Sequence, residues 1–240
     1  SYLGSPSQAL SVIVNIPFNV TISSNGPTLP KWCPYWCATT RTNLPKRPTA
    51  FTVGNFPSGS TVIINNNGYI SGGGGYGGGG GNSFALGYNR NNQPNGVTGG
   101  AGGDGIVKGS SNNFDCTIVN TGTIAGGGGG GGGGESIYSP GSNYTESGRY
   151  STGNTGGQGA GITSTTRTQG GSPMTPPDYF GRTYPNTTSG GFGGALGDDG
   201  YGNGQDARGA YWTSYGGKAG KAITGDIEIA VSGTIIGVVG

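Results

Sequence analysis

Residues 117–134 read TIVNTGTIAGGGGGGGGG. An apolar, β-branched run meets a Thr-Gly turn, then an x-Ile-x-Gly step, then nine consecutive glycines, 126–134. Two other stretches repeat the pattern. Residues 62–72 read VIINNNGYISG and run into polyglycine; residues 229–237 read IAVSGTIIG. β-branched residues ahead of an Asn/Thr/Ser-Gly turn are a strand-and-turn signal. The aligned turn glycines, Gly68, Gly122 and Gly233, are unevenly spaced. That spacing excludes a regular solenoid and predicts a layered fold that revisits one edge.

Between these copies glycine recurs every third residue. Gly96, Gly99, Gly102 and Gly105 are in step, as are Gly153, Gly156 and Gly159, then Gly191, Gly194, Gly197 and Gly200, then Gly217 and Gly220. Three residues per turn is the repeat of polyproline-II-type helices, with a rise of about 3.1 Å. Collagen needs strict Gly-x-y and abundant proline, and neither is present. A bundle of polyglycine-II helices satisfies the pattern. An outer helix needs glycine only on its inward face. A central helix needs it on every face, hence the run 126–134, roughly 28 Å long at that rise. A flexible linker is the bland alternative for one glycine run, and phased glycines in several segments argue against it. Ordering glycine costs more backbone entropy than ordering any other residue, so dense inter-helix hydrogen bonds must offset it, with the strand repeats clamping one end. The expected fold class is mostly irregular/β: a polyglycine-II bundle with a few short strands, long tip loops and no substantial α-helix. The expected division is residues 1–60, an N-terminal β-rich attachment or clamp region, and 61–240, the glycine-rich domain.

Composition narrows function. The chain has 240 residues, of which 58 are glycine, with 30% hydrophobic and 9% charged residues and a net charge of +2. Apolar side chains are too few for a conventional core of this length. The charge is too small for an electrostatic nucleic-acid binder. Histidine is absent, so no imidazole can act as base or metal ligand. Three cysteines without histidine do not complete a four-ligand zinc site. Cys33 and Cys37 form a disulfide or stay reduced, and Cys116 is a small core residue ahead of a strand. No phosphate-cradling glycine motif occurs. Asp198-Asp199 to Asp206 resembles a calcium turn in composition, which Asx-turns explain as well. Glu135, Glu146 and Asp178 have no spacing that places a glycosidase pair. The expectation is no cofactor, no metal and no enzyme. The longest apolar stretch, 227–240, is too short to span a bilayer.

Four segments between the glycines differ in composition: 82–95 (NSFALGYNRNNQPN), 135–152 (ESIYSPGSNYTESGRYST), 162–189 (ITSTTRTQGGSPMTPPDYFGRTYPNTTS) and 201–215 (YGNGQDARGAYWTSY). They carry Tyr88, Tyr138, Tyr144, Tyr150, Tyr179, Phe180, Tyr184, Tyr201, Tyr211, Trp212 and Tyr215, with Arg90, Arg149, Arg167, Arg182 and Arg208. Rigid rings beside Arg and small polar residues are the chemistry of an antibody-like paratope. Loops on a rigid scaffold are where recognition usually sits. These residues are the expected binding site, unless the rings only cover the bundle ends. In the N-terminal part, residues 11–22 read as a strand pair bent at Pro17, and Trp32, Tyr35 and Trp36 serve as a small core or an anchor.

The stretches INNNGYISGGGGYGGGG (64–80), TIVNTGTIAGGGGGGGGG (117–134) and GGKAGKAITG…GTIIG (216–237) resemble the glycine-rich adhesins at the tips of long tail fibres of T-even-like and related tailed bacteriophages. The resemblance covers about residues 60–240. It implies a polyglycine-II bundle whose hypervariable segments bind the extracellular loops of a host outer-membrane protein, a porin or transporter. Those segments correspond to the four above. It also implies a place at the tip of the fibre on the virion, with the remainder of the fibre as a partner and neither nucleic acid nor membrane insertion involved. The cluster Trp32-Cys-Pro-Tyr-Trp36-Cys and the strand-like residues 10–22 fall outside it. Competing classes are an ice-binding polyglycine-II bundle, which wants a flat face of short side chains, a tail-associated polysaccharide-binding or polysaccharide-degrading protein, and a structural cell-wall glycine-rich protein.

Overall fold

A computed structural model describes residues 8–24, 44, 46–78, 98–109, 113–133, 138–139, 149–150, 161, 192–202 and 215–240. Among them there is no α-helix, and every strand is short. Three parallel sheets form, and the first two stack the repeats, with a register shift between Ile229 and Val231 in the last copy. The first runs β1 (Ser11–Ile16), β4 (Thr61–Asn66), β7 (Asp115–Asn120), β12 (Glu228–Val231). The second runs β2 (Thr21–Ser23), β5 (Tyr69–Ser71), β8 (Thr123–Ala125), β13 (Thr234–Ile236). The third runs β3 (Phe51–Val53), β6 (Ile106–Lys108), β11 (Ile223–Thr224). Each apolar run supplies the first sheet and each x-Ile-x step the second, as the sequence repeat predicts. The pairs β1 and β2, β4 and β5, β7 and β8, and β12 and β13 are therefore layers of one stack.

Alternation decides which side chains face inward. In β4 and β7 every second residue is buried, and register sets Val62 against Cys116, Ile64 against Ile118 and Asn66 against Asn120. Ile70, Ile124 and Ile235 align in the second sheet, and Ile106 with Ile223 in the third. Ile64, Ile70, Ile106, Ile118, Ile124 and Ile223 are completely buried, each contributing about 1.5–3 kcal/mol of transfer free energy. Phe56 meets Phe114 edge-on, ring centroids 5.3 Å apart. Among the described residues the apolar cluster is small, as few apolar residues in the sequence dictate, and it sits among the strands and the residues flanking them, with Tyr76 buried apart in a rod.

The buried asparagines and lysine of the stack are satisfied, whereas the buried Tyr69 and Thr224 hydroxyls have no hydrogen-bond partner among the described residues. Asn66 Nδ2 donates to Asn120 Oδ1 at 2.8 Å, and Asn66 Oδ1 accepts from the Gly68 amide at 3.1 Å, holding the corner between β4 and β5. The buried Lys108 ammonium donates to the carbonyls of Phe114 (2.7 Å) and Asp226 (2.9 Å) and lies 4.7 Å from the Phe114 ring centroid. One expectation is corrected here. β1 and β2 do not pair with each other; each adds to its own sheet, beside β4 and β5. The link carries a Val20 N–H to Pro17 O bond, which turns a corner between sheets rather than closing a hairpin. Cys116 lies within β7 rather than ahead of it.

Glycine rods join the strands. Residues 72–78 leave β5 and 126–133 leave β8; residues 99–105 lead into β6 and 215–221 into β11. Parallel strands need a long crossover, and the rods with their loops supply it. Hydrogen bonds between rods recur every third residue. The amides of Gly72, Gly75 and Gly78 donate to the carbonyls of Ala125, Gly128 and Gly131. Those of Gly99, Gly102 and Gly105 donate to Tyr215, Lys218 and Lys221. The rod 126–133 is central. Its carbonyls 126 to 131 accept, in turn, from Gly197, Gly220, Gly75, Gly194, Gly217 and Gly78, while Gly127 and Gly130 donate to Gly103 and Gly100. Successive carbonyls of this rod thus point to different neighbours in a three-residue step. Only glycine permits the approach: a Cβ on Gly129 would overlap the Gly217 carbonyl, and one on Gly130 that of Tyr76.

Candidate functional site

Register fixes where the long segments leave the scaffold. Gly78 bonds to Gly131, Gly130 to Gly100, Gly217 to Gly130 and Gly132 to Tyr201. Residues 78, 98, 133, 192, 202 and 215 therefore all stand at the end of the bundle remote from the sheets. The chain enters and leaves 79–97, 134–191 and 203–214 at that one end; within 134–191 the buried Gly161 comes back against rod 72–78, where a Cβ would overlap the Gly74 amide nitrogen. A reversal keeps 192–202 there: Gly197 has φ 72°, and Asp198 N–H bonds back to Ala195 O at 3.0 Å. Positive φ suits glycine, so residues 192–197 descend one side of the central rod and 198–202 climb back.

Side chains lock the scaffold beneath this end. Asp104 Oδ2 takes the Lys46 ammonium at 2.7 Å, its Oδ1 takes the Lys221 amide at 2.8 Å, and its carbonyl takes the Ala50 amide at 2.9 Å. One carboxylate residue thus joins three chain segments. The Arg47 guanidinium stacks over the Tyr76 ring, 4.3 Å from its centroid, and donates to the Tyr76 hydroxyl, fastening residues 46–50 to rod 72–78. On the outer rods Lys218 Nζ lies 2.6 Å from Asp199 Oδ2, and the Ala219 amide donates to Asp199 Oδ1 at 2.8 Å. Partial burial alone would raise the Asp199 pKa. The bonds from Lys218 and Ala219 and the Lys218 charge outweigh it and hold the carboxyl below its usual range. The same bond raises the Lys218 pKa.

Five of the expected binding residues lie among those described. Tyr138 and Arg149–Tyr150 sit on a two-stranded antiparallel ribbon, β9 (Tyr138–Ser139) with β10 (Arg149–Tyr150), in which Tyr150 faces Tyr138 in register and Arg149 faces Ser139. Tyr201 and Tyr215 stand exposed at the remote end. Tyr88, Arg90, Tyr144, Arg167, Tyr179, Phe180, Arg182, Tyr184, Arg208, Tyr211 and Trp212 lie outside the described residues, as do Cys33, Cys37, Glu135, Glu146, Asp178 and Asp206. Sequence reasoning missed Phe192, an exposed ring at the same end. It stands inside a glycine-phased stretch and reads there as scaffold; the signal was its being the one ring in GGFGGALGDDG, residues 190–200. Cys116 is buried with its thiol free; burial pushes its pKa up, and the Lys108 charge partly opposes this. Among the described residues no group of three acidic or cysteine side chains could hold a metal ion.

A hydrogen-bonded scaffold whose described rod ends gather at one end, with aromatic-rich sequence joining them, is an architecture suited to display and binding. The family model described as "Phage tail fibre adhesin Gp38" matches residues 2–240, and the chain belongs to that family. It is thus a receptor-binding adhesin of a phage tail fibre, a component of the virion. Among solved structures, the crystal structure of the gp37-gp38 adhesin tip complex of the bacteriophage S16 long tail fiber is similar at 20% identity, covering 95% of this chain and 81% of that one, with a TM-score of 0.41. No curated protein matches the chain.

Proposed function

We propose that this adhesin recognises an extracellular portion of a host outer-membrane protein through the segments 82–95, 135–152, 162–189 and 201–215, carried on a polyglycine-II scaffold. The observation that supports the reading is the gathering of rod ends 78, 98, 133, 192, 202 and 215 at one end of the bundle, the points where 79–97 and 203–214 leave the described scaffold and where 134–191 begins and ends. Their Tyr, Trp and Arg content suits protein recognition, and a pre-ordered scaffold lowers the cost of fixing the contact surface. Binding of this kind requires no catalytic step. The three-residue hydrogen-bond register supports the polyglycine-II assignment. Residues 1–60 act as the clamp and attachment region, since β1, β2 and β3 extend all three sheets, and 61–240 as the adhesin domain. The rest of the tail fibre is the structural partner, consistent with the family description.

A pull-down of detergent-solubilised outer-membrane proteins from the host tests the reading. A folded variant with Tyr144, Tyr150, Tyr184 and Trp212 changed to Ala runs beside the unchanged chain. One protein retained by the unchanged chain and lost by the variant supports it. Equal retention by both removes these segments as the site.

A further inference from the structure

Exposed large apolar side chains among the described residues fall into two sets. Leu10, Ile13, Phe18 and Val20 border the β1–β2 layer, and Val231, Val238 and Val239 the β12–β13 layer; all stand at the sheet end. The other set is Phe192, Tyr201 and Tyr215, which are 43%, 54% and 69% exposed. These three stand at the remote end, and the backbone sets them in one row. The Tyr201 amide bonds to the Phe192 carbonyl at 2.8 Å, and the Gly132 amide bonds to the Tyr201 carbonyl at 2.9 Å. Gly200 donates to Gly217 at 2.8 Å, so Tyr201 and Tyr215 ride on adjoining rods, and Gly99 donates to the Tyr215 carbonyl at 2.9 Å. Each ring therefore sits on its own rod, level with the last described glycines of the central one.

The geometry points to this row as a fixed contact surface for an apolar protein epitope, an extracellular loop of the host outer-membrane receptor. The inference rests on the adhesin reading above and deepens it: the contact includes Phe192, which lies outside the four segments, held by backbone bonds beside Tyr201 and Tyr215, the end residues of one of them. Rings mounted on hydrogen-bonded backbone lose little further freedom on binding. Charge favours protein over the phosphate-bearing glycans of the outer membrane. The nearest cation on these rods, Lys218, is neutralised by Asp199 at 2.6 Å, and exposed Asp198 adds a negative charge beside them. An uncharged or weakly basic loop fits there, and a polyanion does not.

The test uses the full chain and outer-membrane vesicles from the host bacterium, intact or shaved with protease. Phe192→Ala, Tyr201→Ala and Tyr215→Ala, singly and together, are compared with the variant altered at Tyr144, Tyr150, Tyr184 and Trp212. All are first shown to unfold at the temperature of the unchanged chain, and the single variants keep the test open should the triple one misfold. Each single change is expected to weaken binding to intact vesicles about five- to thirtyfold, the range of interface anchor residues, and shaving is expected to abolish binding. If the folded triple variant binds as tightly as the unchanged chain while the segment variant does not, the row is refuted and the adhesin reading stands. Binding that survives shaving refutes the protein epitope in favour of a glycan. Failure of the unchanged chain to bind intact vesicles overturns both.

Discussion

Replacing Gly130 by Ala adds one methyl group where three rods touch. The Gly130 amide donates to Gly100 O at 2.9 Å, its carbonyl accepts from Gly217 N at 2.7 Å, and the Gly100 amide donates to Tyr76 O at 2.8 Å. The new Cβ would overlap that Tyr76 carbonyl. Backbone atoms cannot rotate aside as a side chain can, so the rods must part. Losing two of the three bonds in a buried site costs about 2–6 kcal/mol at ~1–3 kcal/mol for each unsatisfied group. The smaller conformational freedom of unfolded alanine returns about 0.4–1 kcal/mol. The net loss is about 1–5 kcal/mol, a large part of a typical total of about 5–15 kcal/mol. At ~2–4 °C per kcal/mol for a chain of this size, the melting temperature falls by about 2–20 °C. Gly54→Ala is the control, since nothing lies within 4 Å of a Cβ there, and its melting temperature should stay within about 2 °C. The assay is a thermal melt followed by circular dichroism or calorimetry. Were the Gly130 and Gly54 variants to melt together with the unchanged chain, close backbone packing would not be what holds the bundle.

Further outcomes follow from the strand stack and its charges. Asn66→Ala leaves the buried Asn120 amide oxygen and the Gly68 amide without their partner and should cost about 2–4 kcal/mol in urea unfolding. Lys108→Met keeps the length but strips two carbonyls of their donor; a loss of about 2–4 kcal/mol is expected by the same assay. Buried Cys116, its thiol pushed up by burial, should resist iodoacetamide at pH 8 in the folded protein and react once unfolded, as mass mapping of the labelled residue would reveal. Asp199 has a folded pKa below its unfolded one. Its small contribution is therefore present above the unfolded carboxyl range and is lost as pH falls through the lower folded value. Asp199→Asn should flatten that acid limb of the stability curve, and high salt should mimic it.

How much of this was legible in the residues follows from what each signal encodes. The copies at 62–72, 117–126 and 229–237 announced their stacking, because a buried alternation and a glycine corner must recur wherever the same environment recurs. The first layer, β1 with β2, escaped the repeat: Pro17, Phe18 and Asn19 lengthen its corner, and the turn glycine is missing. Phased glycine named the rods, since a Cβ has no room on an inward face. It did not name their neighbours. That Gly129 bonds to Asp198 while Gly130 bonds to Gly100 depends on lateral packing, and glycine-only segments carry nothing to distinguish one partner from another. The third sheet was equally silent, because β3, β6 and β11 are short and lack a shared motif. Composition singled out Tyr201 and Tyr215, which stand exposed. It did not single out Phe192, because its surroundings read as scaffold.

The same silence explains how such a scaffold serves an adhesin. In an ordinary domain, core side chains couple one segment to the next, so altering a loop disturbs the packing beneath it. Here the six accepting carbonyls of residues 126 to 131 and their donors are main-chain groups, whose bonds are indifferent to side-chain identity. The apolar core that does depend on side chains, from Ile64 to Ile223, is confined to the strands at the opposite end. Between core and tip runs a rod whose only sequence requirement is an absent side chain. A scaffold held by main-chain bonds lets surface chemistry vary while this described core keeps its packing. The separation has one weak point, the rods' last turns, where Phe192, Tyr201 and Tyr215 belong to scaffold and surface at once. Changes there should couple binding to stability only through the backbone bonds of those residues. Tyr201→Ala, which keeps both bonds, should therefore alter affinity without altering the melt, whereas Tyr201→Pro, which removes the donor to Phe192, should lower both.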